Sequence, residues 1–153
     1  LKFIVDELKP YIDENYSVYK NRENTFVAGS SMGGLISMYA MFEYPSVFGA
    51  AGCISTHWIG GFNDNDNPIP AAFLHYMNKN MPDSKSHKIY FDNGTVGLDS
   101  MYTVHQLKVN YAMRDAGYLD NRNLKTDVYQ GHNHNERYWA ERLDEVFLFL
   151  FVQ

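Results

Sequence analysis

Short apolar segments alternate with helical segments along the chain of 153 residues, and this alternation restricts the fold more than any other feature. Each apolar segment is bounded by turn residues and is too short for a buried helix, which predicts a strand. The predicted strands are 25–28, 48–55, 88–92 and 124–130. The predicted helices are 1–9, which Pro10 kinks or ends, then 32–44, 71–80, 101–116 and a last one from about residue 135. Because strands joined by helices usually pair in parallel, we expect an α/β domain whose mainly parallel sheet is flanked by helices.

The composition excludes several classes of protein. Thirteen Lys and Arg against 18 Asp and Glu give a net charge of −5 without any basic stripe, so we expect no nucleic-acid partner. The longest apolar run, at 146–152, is far shorter than the roughly 18 residues of a membrane span, so we expect none. A single cysteine, Cys53, leaves no internal disulfide and no Cys-based zinc site, and its apolar surroundings predict an inert buried thiol.

The segment Gly29-Ser30-Ser31-Met32-Gly33 matches the pattern Gly-x-Ser-x-Gly, between a predicted strand and a predicted helix. In this context the pattern is typical of a nucleophile elbow, a sharp turn that raises a serine above the sheet edge. Gly29 and Gly33 would remove side chains that collide across the turn, and Gly34 would let the helix pack close to the sheet. Ser31 is therefore the candidate nucleophile, and the amide of Met32 is the candidate oxyanion-hole donor.

A serine nucleophile needs a histidine base that is oriented by a carboxylate. In α/β-hydrolases the chain order is Ser, acid, His, with the base in the loop after the last strand. His132 and His134 occupy that loop, and the segment after the third predicted strand offers Asp92 and Asp99. The pattern alone leaves both choices open.

Three motifs together resemble the putative-esterase family of α/β-hydrolases, which includes esterase D-like, feruloyl and enterochelin esterases and antigen 85-type acyltransferases. They are Gly-Ser-Ser-Met-Gly-Gly, Asp-Asn-Gly-Thr followed by Leu-Asp and Tyr, and Gly-His-Asn-His-Asn-Glu followed by Trp and Arg-Leu, in segments 29–34, 92–102 and 131–143. The resemblance implies that Ser31 is the nucleophile and that His134, which precedes a small polar residue and Glu, is the base. It implies Asp99 as the acid, with Asp92 as the alternative, because Val96 and Gly97 occupy the place where the family often carries an acidic residue.

Members of this family carry several strands before the elbow, and one of those loops donates the second oxyanion amide. We therefore expect residues 1–153 to be a single α/β-hydrolase domain, a C-terminal portion that lacks its N-terminal strands. Such a sheet has an open edge, which predicts association with the missing part or with another copy of the chain. Any targeting signal would precede Leu1, so the sequence leaves both a cytoplasmic and an exported location open.

Residues 57–87 interrupt the strand and helix alternation and are interpreted as a small cap-like insertion. His57 and Trp58, directly after the second predicted strand, are candidate substrate-binding residues. The segment Asp64-Asn65-Asp66 lacks the Gly and the closing Glu of a calcium loop, and His132 and His134 lack further convergent ligands. We therefore expect no metal and no cofactor.

The resulting hypothesis is a serine carboxylesterase that hydrolyses a small-molecule ester through an acyl-enzyme, with Ser31, His134 and Asp99 as its triad. Two alternatives remain at this stage. One is an acyltransferase of the same family, which differs only in the acceptor of the acyl group. The other is a hydrolase-fold binding module with weak or no catalysis.

Overall fold

A computed structural model describes residues 1–151, and its centre is a four-stranded sheet of order β1-β2-β3-β4 with every pair parallel. The strands are β1 (Phe26–Ser30), β2 (Ala50–Ile54), β3 (Lys88–Val96) and β4 (Leu124–Asn133). Because the strands are parallel and neighbours in sequence are neighbours in space, their carboxyl ends lie along one edge of the sheet. The predicted fold class, a mainly parallel sheet flanked by helices as in the C-terminal portion of an α/β-hydrolase, is confirmed.

Six α-helices occur in the described residues. They are α1 (Lys9–Asn15), α2 (Met32–Glu43), α3 (Ile69–Asn80), α4 (Thr103–Asp115), α5 (Glu136–Ala140) and α6 (Leu143–Phe151). A π-helical segment, Phe3–Leu8, leads into α1, and short 3₁₀ helices occupy Arg22–Asn24 and Gly97–Met101. Within residues 1–151 no helix combines the length and the apolar character that a bilayer crossing requires.

The two faces of the sheet carry separate cores because alternate strand residues point to opposite sides. Ala51, Cys53 and Phe91 face the larger core, which α2, α3 and α4 complete. Ala50, Ile54 and Tyr90 face the smaller core, where Val146 and Leu150 of α6 pack. Gly52 lets α6 lie this close, since a Cβ at Gly52 would stand 2.8 Å from a methyl carbon of Val146.

Several boundaries differ from those predicted. The first helical segment does not end at Pro10, because Phe3–Leu8 leads directly into α1 and the chain stays helical to Asn15. The third and fourth strands run on to Val96 and Asn133, so their predicted ends at 92 and 130 are wrong. The last predicted helix is broken between α5 and α6.

The segment 57–87 contains α3 and the loops on either side of it. Helix α3 packs against α2 and α4 on the side of the larger core. A role for this segment as a cap stays a prediction.

Candidate active site

Ser31 occupies the turn between β1 and α2 with φ 59° and ψ −120°. This is a conformation that residues other than glycine rarely adopt, and it costs on the order of 1–3 kcal/mol. The surroundings hold it in place, since the Ser31 amide donates to the carbonyl of Ile54 at 2.9 Å. Gly29 is required here, because a Cβ on it would lie 2.7 Å from the carbonyl group of Gly33.

The other two glycines of the motif have different roles. A Cβ on Gly33 would meet open space, so the prediction that Gly33 must also lack a side chain is wrong. Gly34 does permit the close approach that was predicted for it, since its Cβ would lie 3.1 Å from Oγ1 of Thr56 and 3.2 Å from the carbonyl of Ile54.

Three side chains that are distant in sequence form one hydrogen-bonded chain at the carboxyl edge of the sheet. Nε2 of His134 lies 2.8 Å from Oγ of Ser31, and Nδ1 of His134 lies 2.5 Å from Oδ1 of Asp99. His134 directly follows β4, and Asp99 belongs to the 3₁₀ helix that follows β3. Because the strands are parallel, the segments that follow β3 and β4 lie at the same edge of the sheet as Ser31.

The Asp99 carboxylate is fully buried and its second oxygen is also occupied. Oδ2 accepts from the Gly94 amide at 2.6 Å and from Oγ of Ser55 at 2.6 Å. Burial acts to raise the pKa of Asp99, but the hydrogen bonds from His134, Ser55 and the Gly94 amide outweigh it and hold that pKa below its ordinary value. The carboxylate is thus ionised at neutral pH and suited to stabilise an imidazolium.

The carboxylate of Asp92, the alternative acid, contacts Arg142, Tyr90 and Ser55 and not His134. Its Oδ2 lies 3.0 Å from Nε of Arg142 and accepts from the Tyr90 hydroxyl at 3.0 Å, and its Oδ1 accepts from the Ser55 amide at 2.8 Å. Burial raises the pKa of Asp92 to about 6, although Arg142 opposes this rise. The structure therefore brings Asp99, and not Asp92, to His134.

The loop that carries His134 is fixed by short-range contacts. The side-chain oxygen of Asn133 accepts from the His134 amide at 2.8 Å. It also packs on Gly97 (φ 62°), where a Cβ would lie 2.2 Å from that oxygen. Trp139 meets the His134 ring edge-on, with ring centroids 5.0 Å apart. The imidazole is therefore held in the orientation that both of its hydrogen bonds require.

The two predicted substrate-binding residues have different positions. His57 lies beside the triad, with its ring centroid 6.2 Å from that of His134 and its Nδ1 2.5 Å from the Tyr102 hydroxyl. Burial, and then the nearby His134, lower the pKa of His57. Trp58 is only 1 % exposed, and its Nε1 donates to Gln106 at 2.9 Å. Trp58 also lines a cavity of about 150 Å³ between α3 and α4, and its role in substrate binding stays a prediction.

Met32 begins α2, where backbone amides have no partner within the helix and the helix dipole favours negative charge. Its side chain is exposed and opens onto a cleft of about 470 Å³ between α2 and α3. Nearly all of the cleft surface is apolar, and its lining side chains are Met32, Leu35, Ile36, Met38, Tyr39, Ile69, Ala72, Phe73 and Tyr76. The cleft therefore begins one residue away from Ser31.

Sequence reasoning assigned no role to two residues beneath the candidate triad, Ser55 and Arg142, although Arg142 belongs to the third motif. Arg142 is almost fully buried, and it interrupts the apolar stripe of Trp139, Leu143 and Val146. A lone cation in such a stripe is a signal that could have identified it. Nothing in the sequence around Ser55 marks it, because its importance arises from a backbone φ of 42° at the end of β2.

Among residues 1–151 no group of three or more His, Cys, Asp or Glu side chains could hold a metal ion. The site in the described part of the chain therefore consists of the triad, the start of α2 and the apolar cleft.

A parallel sheet with a strained serine at a strand-to-helix turn and a histidine after the last strand is the arrangement of an α/β-hydrolase. The chain belongs to the family described as Putative esterase, whose model matches residues 1–150. The uncharacterized protein YbbA of Bacillus subtilis (strain 168) is 42% identical over 59 residues, which are 38% of this chain and 24% of that protein.

Solved structures of esterases resemble the whole described domain. A ferulic acid esterase matches with a TM-score of 0.74 and 23% identity, covering 97% of this chain and 59% of that one. The enterobactin esterase FES from Shigella flexneri matches with a TM-score of 0.76 and 18% identity, covering 97% of this chain and 37% of that one. At these identities the likeness establishes the fold, and the chain spans less than two thirds of each of these relatives.

Proposed function

We propose that this chain carries the active site of a serine carboxylesterase that works through an acyl-enzyme. The observation that carries the proposal is the continuous hydrogen-bonded path from Oγ of Ser31 through His134 to Asp99, with distances of 2.8 and 2.5 Å. These distances lie within the range in which a base accepts a proton from a nucleophile. The strained φ of Ser31 supports the same proposal, since such strain persists where the surrounding structure imposes it.

In the proposed reaction, Oγ of Ser31 attacks the ester carbonyl carbon while Nε2 of His134 accepts the hydroxyl proton. The Met32 amide donates a hydrogen bond to the developing oxyanion. As the tetrahedral intermediate collapses, His134 protonates the departing alcohol and leaves the acyl group on Ser31. Water, deprotonated by His134, then attacks the acyl carbonyl, and the acid is released as the proton returns to Ser31. Asp99 stabilises the imidazolium in both steps.

The cleft between α2 and α3 supports a substrate whose ester carries an apolar acyl or alcohol group. It begins at Met32, so a group bound there is adjacent to the proposed oxyanion donor. Its volume of about 470 Å³ is in the usual range of small-molecule sites, which are mostly apolar. Hydrolysis and transfer to a second alcohol share the same acyl-enzyme, and product analysis with and without an added alcohol separates them.

The direct test is labelling of the purified protein with a fluorophosphonate probe, together with hydrolysis of p-nitrophenyl butyrate. We expect the probe to modify Ser31, and we expect Ser31→Ala to abolish both labelling and hydrolysis. Ser100→Ala removes an exposed hydroxyl next to Asp99 and serves as the control that retains both. If a folded Ser31→Ala variant hydrolyses the ester as fast as the wild type, the esterase proposal is wrong and the binding module is favoured.

A further inference from the structure

The hydroxyl of Ser55 has three polar neighbours beneath the triad. Nε1 of Trp139 lies 3.0 Å from the Ser55 oxygen, Nη2 of Arg142 lies 2.6 Å from it, and Oδ2 of Asp99 lies 2.6 Å from it. An indole N–H and a guanidinium N–H can only donate. The two lone pairs of the Ser55 oxygen are therefore both used, and its own proton is left to point at Asp99.

The backbone of Ser55 is tied to the same cluster. Its φ of 42° places the residue in the left-handed region, and its amide donates to Oδ1 of Asp92 at 2.8 Å. Oδ2 of Asp92 pairs with Nε of Arg142 at 3.0 Å, while Nη2 of Arg142 lies 3.9 Å from Oδ2 of Asp99. One buried guanidinium therefore stands between two buried carboxylates, with Ser55 in the centre.

The charges of this cluster have a consequence for the histidine. Asp92 and Asp99 carry two negative charges at neutral pH and Arg142 carries one positive charge, so one negative charge remains uncompensated in a buried site. When His134 becomes an imidazolium, it supplies the missing positive charge 2.5 Å from Asp99. The uncompensated negative charge thus lies beside the histidine that would accept the proton of Ser31.

We propose that Ser55 is a positioning residue for the esterase reaction proposed above. Arg142 and Trp139 hold the Ser55 hydroxyl, and this hydroxyl fixes Oδ2 of Asp99 so that Oδ1 contacts His134. In the same arrangement Asp92, which pairs with Arg142, accepts from the Ser55 amide and holds Ser55 from beneath the site. The inference rests on the proposed function. It assigns a role to the buried residues Ser55, Asp92 and Arg142, which are not members of the triad.

The first test is Ser55→Ala, with kcat and KM measured on p-nitrophenyl butyrate. The variant loses a hydrogen bond to an ionised group whose geometry matters most in the transition state, so kcat falls about 10- to 100-fold while KM changes less than twofold. Ser55→Gly loses the same hydroxyl but relieves the positive φ, so an equal loss in kcat assigns the effect to the hydroxyl and not to the backbone. Ser37→Ala, which removes a buried hydroxyl that bonds only within α2, is the matched control and keeps the wild-type kcat.

The second test concerns the buried ion pair beneath Ser55. Asp92→Asn removes the carboxylate that accepts from the Ser55 amide and pairs with Arg142, so kcat falls while KM changes less than twofold. Arg142→Lys retains the positive charge and keeps more kcat than Arg142→Met, which leaves two buried carboxylates without a cation.

The outcomes separate this inference from the proposed function. If folded Ser55→Ala and Ser55→Gly both keep kcat within threefold of the wild type, Ser55 does not position Asp99. If folded Asp92→Asn keeps the wild-type kcat, or if Arg142→Lys keeps no more kcat than Arg142→Met, the buried ion pair does not hold Ser55 in place. Either result leaves the labelling of Ser31 intact, whereas failure of the proposed function shows as an unlabelled Ser31 in the wild-type protein.

Discussion

The main chain of Gly94 touches the main chain of His132 so closely that any side chain on Gly94 is excluded: a Cβ there would lie 2.2 Å from the His132 carbonyl oxygen. The same Cβ would lie 2.9 Å from Oδ2 of Asp99. This contact joins the ends of β3 and β4 immediately before Asp99 and His134 leave the sheet. The distance between Asp99 and His134 therefore depends on Gly94, which lies two strands away from Ser31.

We expect Gly94→Ala to lower the free energy of unfolding by about 2–4 kcal/mol, because backbone atoms cannot move aside as a flexible side chain would. The added methyl group also pushes the backbone at Gly94 away from His132 and moves the Gly94 amide from Asp99. Hydrolysis of p-nitrophenyl butyrate therefore falls as well. Urea denaturation followed by circular dichroism measures the stability. Gly33→Ala is the matched control, since its Cβ meets open space in a helix and the change is neutral or stabilising by about 0.5–1 kcal/mol.

Asp99 and Asp92 provide a comparison between two buried carboxylates of which only one contacts His134. Asp99→Asn places an amide against Nδ1 of His134 and disfavours the required tautomer, so we expect kcat to fall by about 10³–10⁴. Asp92→Asn leaves that contact in place, and its loss in kcat is expected to be at least tenfold smaller. Steady-state kinetics of the two variants check the assignment, and equal losses would contradict it.

The residues of the proposed triad were predictable because a strand-turn-helix context and the chain order of nucleophile, acid and base restrict the choices to a few positions. The choice between Asp92 and Asp99 was not fixed by pattern alone, since Asp92 ends the predicted third strand and Asp99 follows it in the next segment. It depends on the extension of β3 to Val96, which carries Asp99 past the sheet edge toward the loop after β4. That extension was missed because Asn93 and Gly94 have the composition of a turn.

The residues beneath the triad could not be predicted from the sequence for a different reason. Ser55, Asp92 and Arg142 come from three separate segments, and only the packing of α6 beneath the sheet edge unites them. Trp58 depends on packing in the same way. Its indole donates to Gln106 of α4, and its side chain lines a cavity between α3 and α4, so its predicted role in substrate binding stays a prediction. Its surroundings depend on the position of α4, which local sequence does not specify.

The raised pKa of Asp92 predicts a change of stability with pH. Because the pKa of Asp92 in the folded state, about 6, is above its ordinary value of 3.8, the folded state binds this proton more tightly. The contribution of Asp92 to stability is therefore lost as pH rises from about 4 to about 6. Asp92→Asn cannot titrate, so the free energy of unfolding of this variant should fall less over that window than that of the wild type. Urea denaturation at a series of pH values measures both slopes, and parallel curves would contradict the prediction.

The lowered pKa of Asp99 acts in the opposite sense and below this window, since its stabilisation is lost as pH falls beneath the usual range of a carboxylate.

The apolar cleft between α2 and α3 predicts a preference for esters with a longer apolar acyl chain. Each buried methylene contributes about 0.8 kcal/mol, so kcat/KM should rise about threefold to fourfold per added methylene from p-nitrophenyl acetate until the cleft is full. Ile36→Trp fills the cleft from α2 and should lower kcat/KM for p-nitrophenyl octanoate at least tenfold, with little effect on the acetate. Leu107→Trp adds the same side chain at an exposed position of α4 and should leave the chain-length profile unchanged. An Ile36→Trp profile identical to that of the wild type would show that the acyl group binds elsewhere.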